Sequence, residues 1–254
     1  MAKKIMIFGL ETIPEIKPGD DLAKIIVKCA EKEGVGIRDR DIIVVSSKIV
    51  SKSEDRIIFL EEVDVSQEAE KLGKAVRKDP RLVQLILNES KSIVKVERGH
   101  IIAETRHGIV CANAGIDRSN VAGREDVVVL LPLDPDHSAR VLRESIRKLT
   151  GKNVAVVITD TYGRPLREGQ VDMAIGLSGI LPFKDYRGKK DWKGYVLKIK
   201  RIALADEIAA AAELVKGNGG EGIPVAIIRG LEYEVCETSS AEELNMIREK
   251  WLFR

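Results

Sequence analysis

The chain has 254 residues, 44% apolar and 32% charged, and its 42 Lys and Arg against 40 Asp and Glu leave a net charge of +2. That composition excludes a disordered polyelectrolyte, a collagen-like repeat and a membrane-embedded protein. The near-neutral balance and the 4% aromatic content also speak against a nucleic-acid-binding platform.

A compact fold of this mass is expected to expose roughly 11,000 Å², enough burial to hold a core without a covalent staple. Cys29, Cys111 and Cys236 form no CxxC pair, so neither a disulfide framework nor a thiolate zinc site is expected. The apolar run Ile5 to Phe8 is too short for a signal peptide or a membrane span, and a cytoplasmic location is the expectation.

In chain order, Asp20 is expected to cap a helix reaching about Glu33, with Leu22, Ile25, Ile26 and Cys29 on one face. The β-branched runs Ile42–Val45 and Ile57–Leu60 predict strands. Ser66 opens a second helix that Pro80 ends, and Pro80 starts a third through Leu82, Leu85 and Ile86. Ile101–Glu104 alternates as a half-buried strand, and Val127–Leu131 is another strand. Ser138 to Leu149 predicts a helix, followed by a strand over Val154–Ile158 and an alternating strand over Val196–Ala203. Ala205 to Val215 is an Ala-rich helix running into a glycine loop, and Val225–Ile228 is a strand. Ser240 with Glu243 reads as a capping box before a last helix. Strands cluster between residues 90 and 131 instead of alternating with helices, which predicts an α+β protein with mixed or antiparallel sheets and flanking helices. No repeat and no linker divides the chain.

Several segments can carry chemistry. Asp117 and Asp160 each stand where an apolar strand runs out, the usual place for carboxylates that present oxygen to Mg²⁺ or Mn²⁺ beside phosphate. The plainer alternative is that each caps a turn. Gly217-Asn218-Gly219-Gly220-Glu221-Gly222-Ile223-Pro224 can bring backbone N–H groups close to phosphate, although no Lys-Ser or Lys-Thr follows and a glycine-rich helix stop is the plainer and favoured reading of this segment alone. Arg164 and Arg167 in the Asp160-to-Gln170 stretch suit a carboxylate or phosphate, or else form an exposed charged turn. Ser46 to Lys52 offers hydroxyls and the ammoniums of Lys48 and Lys52. His100, His107 and His137 have no ligand-like spacing, and no G-x-S-x-G elbow is present.

Taken together and in this order, these pieces resemble the coenzyme F420-0:L-glutamate ligase (F420-0:γ-glutamyl ligase) family. The resemblance rests on Ile13-Pro14-Glu15-Ile16-Lys17-Pro18-Gly19-Asp20-Asp21, on Ser46 to Lys52 and on Asn113-Ala114-Gly115-Ile116-Asp117-Arg118-Ser119-Asn120. It continues through Leu131-Pro132-Leu133-Asp134-Pro135-Asp136, Asp160 to Gly169, Ala174-Ile175-Gly176, Ala205 to Ala210 and Gly217 to Arg229. It implies a GTP-dependent ligase that joins L-glutamate to a cofactor carboxylate through an acyl phosphate. It further implies Mg²⁺ or Mn²⁺, K⁺, and a single catalytic unit over residues 1–254, folded as two subdomains of a two-lobed protomer in an intertwined homodimer. By the same resemblance Ile13, Pro14, Glu15, Ile16, Ser47, Lys48, Lys52, Asn120 and the loop Lys216, Gly217, Asn218, Gly219, Gly220, Glu221, Gly222, Ile223 correspond to nucleotide contacts. Asp117, Asp160, Thr161, Asn218 and Glu221 are the corresponding metal-binding positions, with Asp117, Asp160 and Lys52 expected to serve catalysis; Arg164 and Arg167 join the catalytic set on chemical grounds alone, as groups that could hold the acceptor carboxylate or phosphate.

One position departs from the family pattern: the loop carries Asn218 where glutamate is common, although Glu221 is retained. Two further readings stay open. One keeps the ligase chemistry and makes the acceptor a folate or another cofactor; the other is a non-catalytic GTP-binding regulatory protein.

Overall fold

The computed structural model describes residues 3–119, 121 and 123–252. Strand β1 (Met6–Gly9) leads to helix α1 (Leu22–Lys32), strand β2 (Ile42–Ser46) and the short helix α2 (Ser47–Ser53). The middle of the chain holds β3 (Ile57–Phe59), α3 (Gln67–Val76), α4 (Pro80–Glu89), β4 (Ser90–Glu97), β5 (His100–Thr105), β6 (Val110–Ala112) and β7 (Val127–Val129). Helix α5 (Pro135–Thr150) precedes the long hairpin of β8 (Ala155–Gly163) and β9 (Gln170–Ser178). A small pair, β10 (Lys184–Asp185) and β11 (Arg201–Ile202), is followed by α6 (Leu204–Lys216) and β12 (Val225–Arg229).

The main sheet has the order β1-β12-β2-β8-β9. Only β2 and β8 run parallel, with Ser46 opposite Thr159, and every other neighbouring pair in this sheet is antiparallel. Strand alternation sends Ile43, Val45, Val156 and Ile158 into a core shared with α1 and α5, while Ile42, Val44, Ala155 and Val157 pack on α6. The central strands are therefore covered on both faces, which is why their sequences are unbroken apolar runs. A third core, around Leu60, Val76, Val83, Ile86, Ile101, Val128 and Leu130, unites α3 and α4 with the antiparallel pair β3-β7 and the antiparallel sheet β4-β5-β6. The protein is α+β with a mixed sheet, as the strand clustering predicts.

Local signals explain most element ends. Ser66 accepts from Ala69 N at the start of α3, and Pro80 is the first residue of α4. The cap of α1 is Asp21 and not Asp20: Asp21 accepts from Lys24 N, whereas Asp20 folds back to accept from Lys17 N. Helix α5 begins three residues before Ser138, because Asp134 caps it and Pro135 presets its first turn. The Ser240–Glu243 capping box forms but opens only a 3₁₀ turn, Ala241–Leu244. The alternation over Val196–Ala203 yields only the two residues of β11; Ile199 is 90% exposed and finds no face to cover.

Gly176 marks a close approach of β9 to α5. A Cβ there would stand 2.5 Å from the carbonyl carbon and oxygen of Pro135, backbone atoms that cannot rotate away. Gly176→Ala is expected to destabilise the protein by about 1–3 kcal/mol through overpacking. Chemical denaturation checks this, and an unchanged midpoint would show that α5 can withdraw at no cost.

The folded chain exposes 14794 Å², well above the roughly 11,000 Å² of a compact monomer of its mass. Part of the excess is the segment joining β10 to β11, where Trp192 is 96% exposed. Among the described residues no helix is long and apolar enough to cross a membrane.

Candidate active site

Parallel strands place their carboxyl ends side by side, and the crevice beyond such ends is the usual ligand position in sheets of this kind. Here β2 ends at Ser46 and continues directly into α2, while β8 continues as Thr159, Asp160 and Thr161. That register brings Ser47 Oγ to 2.6 Å from Asp160 Oδ1, to which it donates. Lys48 and Lys52 follow one turn apart on α2.

Asp117 reaches the same place from the middle of the chain. Asn113, Ala114 and Gly115 all have left-handed backbone, with φ of 53°, 54° and 73°, and Asp117 is then tied by backbone hydrogen bonds to Val129. A Cβ at Gly115 would stand 2.7 Å from Leu131 Cδ1, so this turn needs glycine for space as well as conformation.

Two cavities meet along this edge. The larger, about 780 Å³, has an apolar wall that includes Ile102, Ile109, Ile116, Leu131, Met173 and Ile175, and a polar end with Asp117, Asp160, Thr161 and Arg164. The smaller, about 470 Å³, is lined by Ile13, Pro14, Glu15, Ile16, Lys52 and the loop from Lys216 to Pro224. Lys48 and Asn218 border both.

The electrostatics differ on the two sides of β8. On one side, burial pushes the Asp160 carboxyl up to about 6; the charges of Asp172 and Asp117 add to the rise, while Ser47 and Lys48 oppose it. Among the described residues, Asp160 Oδ2 has no hydrogen-bond donor. Burial also acts to raise Asp117, but Lys48 Nζ at 2.8 Å and the N–H and hydroxyl of Ser119 hold its carboxyl below the usual range. Burial, followed by the charge of Asp160, pushes the Cys111 thiol up to about 12, so it forms part of the wall as a neutral group.

On the other side, Thr159 and Thr161 both face Asp172 of β9. The buried Lys216 ammonium donates to Asp172 Oδ2 at 2.7 Å, Thr159 Oγ1 at 2.7 Å and Ser46 Oγ at 3.3 Å. All three of its protons are thus committed to protein acceptors. Thr161 also lies within hydrogen-bond distance of the Asn218 amide.

The structure brings together most of the residues singled out in the sequence. Ile13 to Ile16, Lys48, Lys52 and Lys216 to Ile223 share the smaller cavity, where Lys52 pairs with Glu15. Asp117 and Asp160 share the larger one. Glu221 is exposed and accepts from Gly219 N within its own loop. Arg164 is at the rim of the larger cavity, its guanidinium bonded to the carbonyls of Glu168 and Gly169, whereas Arg167 is exposed and lines neither cavity. Asn120 lies outside the described residues. Among the described residues no three His, Cys, Asp or Glu side chains converge as a metal cluster. Asp172 and Glu213 are site residues that the sequence reading missed. Asp172 carried a usable signal, an isolated acid leading into the run Met173-Ala174-Ile175-Gly176-Leu177; Glu213 carried none, being one of several polar residues on a helix.

Fold and cleft define the class: an α+β protein with an oxygen-rich, lysine-flanked crevice suited to phosphate esters and a hard cation. Residues 11–230 match the family model described as F420-0:Gamma-glutamyl ligase, and the chain belongs to that family. It is 46% identical over 226 residues, 89% of either chain, to the coenzyme F420:L-glutamate ligase of Methanothermobacter thermautotrophicus. It is 47% identical over 229 residues to the protein of the same name from Methanopyrus kandleri, covering 89% of this chain and 88% of that one. The similarity to the Archaeoglobus fulgidus coenzyme F420:L-glutamate ligase spans 251 residues at 42% identity, 99% and 97% of the two chains.

Proposed function

We propose that the protein is a GTP-dependent γ-glutamyl ligase that joins the amine of L-glutamate to the carboxylate of coenzyme F420-0 and then to its once-glutamylated product. The observation that carries the reading is the meeting of two cavities at Lys48 and Asn218. A triphosphate in the smaller cavity would end where a carboxylate in the larger one begins. The reaction needs that geometry, because a carboxylate is a poor electrophile and must first be phosphorylated. Attack of its oxygen on the γ-phosphorus forms the acyl phosphate and releases GDP. The amine of glutamate then attacks the acyl carbon and phosphate leaves.

In-line phosphoryl transfer is mainly a matter of positioning and charge neutralisation. Lys52 sits against Glu15, an anion that phosphate would displace. In the loop from Gly217 to Gly222 the N–H groups of Gly217 and Gly219 are bonded to Glu213 and Glu221, and it is their neighbours' N–H groups that would meet phosphate oxygens. Arg164, at the rim of the larger cavity, would meet a carboxylate or phosphate of the acceptor, with Arg167 on the same turn. The apolar wall of the larger cavity suits a flat ring.

Mg²⁺ or Mn²⁺ would supply charge neutralisation between phosphate groups. The residues fit such an ion, since Asp117, Asp160, Thr161, Asn218 and Glu221 offer only oxygen ligands. Burial raises Asp160 most and the charges of Asp172 and Asp117 add to it, a repulsion that a cation would relieve. Asp117, Asp160, Thr161 and Asn218 all line the larger cavity and would hold it there.

The reading includes a homodimer of protomers built as one catalytic unit with two subdomains. The surplus exposed area and the uncovered Trp192 and Ile199 between β10 and β11 support it. Light scattering is expected to give about twice the 28.1 kDa chain mass.

The direct test incubates the purified protein with GTP, Mn²⁺, K⁺ and L-glutamate, with F420-0 or a reduced folate as acceptor, and reads the products by mass spectrometry. A glutamyl adduct on F420-0 alone is the expected result. An adduct on folate alone would keep the mechanism and move the acceptor. No adduct on either, with GTP still bound, would point to a nucleotide-binding protein without ligase activity.

A further inference from the structure

Asn218 stands where the two cavities meet, and an amide there can present either an oxygen or an N–H₂. Three acceptors decide between them. Asn218 Nδ2 lies 3.2 Å from Glu213 Oε1 and 2.8 Å from Thr161 Oγ1. Glu213 is itself fixed, because its Oε2 accepts from the backbone N–H of Asp172 at 2.9 Å. Thr161 has one proton and two acceptors, Asp172 Oδ1 and Asn218 Oδ1, each at 3.1 Å. The carboxylate is the stronger acceptor and takes the proton. Thr161 Oγ1 is then left to accept from Nδ2, so hydrogen bonds run in one direction from Asn218 through Thr161 to Asp172, where Lys216 closes the chain. Nδ2 is committed twice, and Oδ1 is the amide's uncommitted acceptor.

We propose that Glu213, with Asp172 behind Thr161, is a positioning residue that locks the Asn218 amide so that Oδ1 faces the cation and phosphates at the junction of the two cavities. The inference rests on the metal-dependent reading above. It also accounts for the asparagine. A glutamate at 218 would set a second carboxylate against Glu213, whereas the amide turns that repulsion into a hydrogen bond. Glu213 and Asn218 thus act as a matched pair in this chain.

The test is Mn²⁺ binding, followed by the electron paramagnetic resonance signal of the free ion, with GDP present. In Glu213→Gln the new side chain keeps an oxygen for Asp172 N but offers an N–H₂ to residue 218, which allows the amide to turn over. Mn²⁺ affinity is expected to fall about tenfold or more, the usual effect of losing a partner that orients a ligand. Thermal stability is expected to stay as it was. Asn218→Asp alone, facing Glu213, is expected to bind Mn²⁺ no better than the parent. Asn218→Asp combined with Glu213→Gln restores a donor–acceptor pair and is expected to bind more tightly than either single variant. That rescue is one a purely structural role would not produce. Unchanged Mn²⁺ affinity in Glu213→Gln, or absence of rescue in the double variant, overturns this inference alone. Failure of the unaltered protein to bind Mn²⁺ with GDP overturns the metal-dependent reading and this inference with it.

Discussion

Asp160→Asn is expected to lower ligase turnover by about 10³-fold while making the ligand-free protein more stable above pH 6. Both effects have one source. Burial and the neighbouring charges of Asp172 and Asp117 lift the carboxyl from its reference value of 3.8 to about 6, against the pull of Ser47 and Lys48. The folded state therefore binds this proton more tightly than the unfolded chain does. Stability from this group is fully present below about pH 4 and is lost as pH rises through about 6. An asparagine carries no charge to desolvate, so the variant gains about 1–3 kcal/mol at neutral pH and little below pH 4. The same substitution removes a carboxylate proposed to hold the cation that neutralises phosphate charge during transfer. Turnover by mass spectrometry and urea midpoints on both sides of the window check the two halves separately. Retained turnover would remove Asp160 from the catalytic set. A loss of stability at neutral pH would mean that the bond from Ser47 outweighs the cost of burying the charge.

Lys216→Met is expected to cost about 3–5 kcal/mol of folding stability, because it leaves the buried Asp172 carboxylate without its cation. Both side chains of this pair are almost entirely buried, at 2% and 8% exposure, and water can replace neither partner. Asp172 would keep only the hydroxyls of Thr159 and Thr161. Pairing Lys216→Met with Asp172→Asn removes both charges and should recover most of the loss, giving a strongly non-additive cycle. Equilibrium denaturation of the two single variants and the double variant measures it. Additive losses would show that Lys216 contributes through its packed methylenes and not through its charge.

The elements legible in the chain are those specified by neighbours in sequence. The unbroken runs of β2, β8 and β12 can only be buried strands, and Ser66, Pro80 and Gly217 mark helix ends because the capping groups are adjacent to the turns they satisfy. Where two residues could do the same work, sequence does not choose: Asp20 and Asp21 are both able caps for α1, and only the path of the Lys17–Asp20 turn decides between them. Helix α2 was not visible either. Its seven residues, Ser47–Ser53, are too few to show a period, and five of them are β-branched or serine. Val196–Ala203 failed in the opposite sense, with a strand-like alternation but no second surface to bury it.

For the site, sequence by itself determined the inventory: two acids at strand ends, lysines after β2 and a glycine loop after α6. Its quoted motifs, taken in order, also carried the resemblance to the family. What only the tertiary structure decided is which of these groups meet. Ser47 bonds Asp160 across 113 positions, and Lys216 bonds Asp172 across 44, because the β2–β8 pairing is parallel and α6 packs on one face of that sheet. Alternation along β8 then sends Asp160 to one side and Thr161 to the other, dividing neighbours in sequence between two hydrogen-bond networks. Such contacts depend on register and on which face of a strand is covered. Both are set by long-range packing, and neither is written in any local stretch of residues.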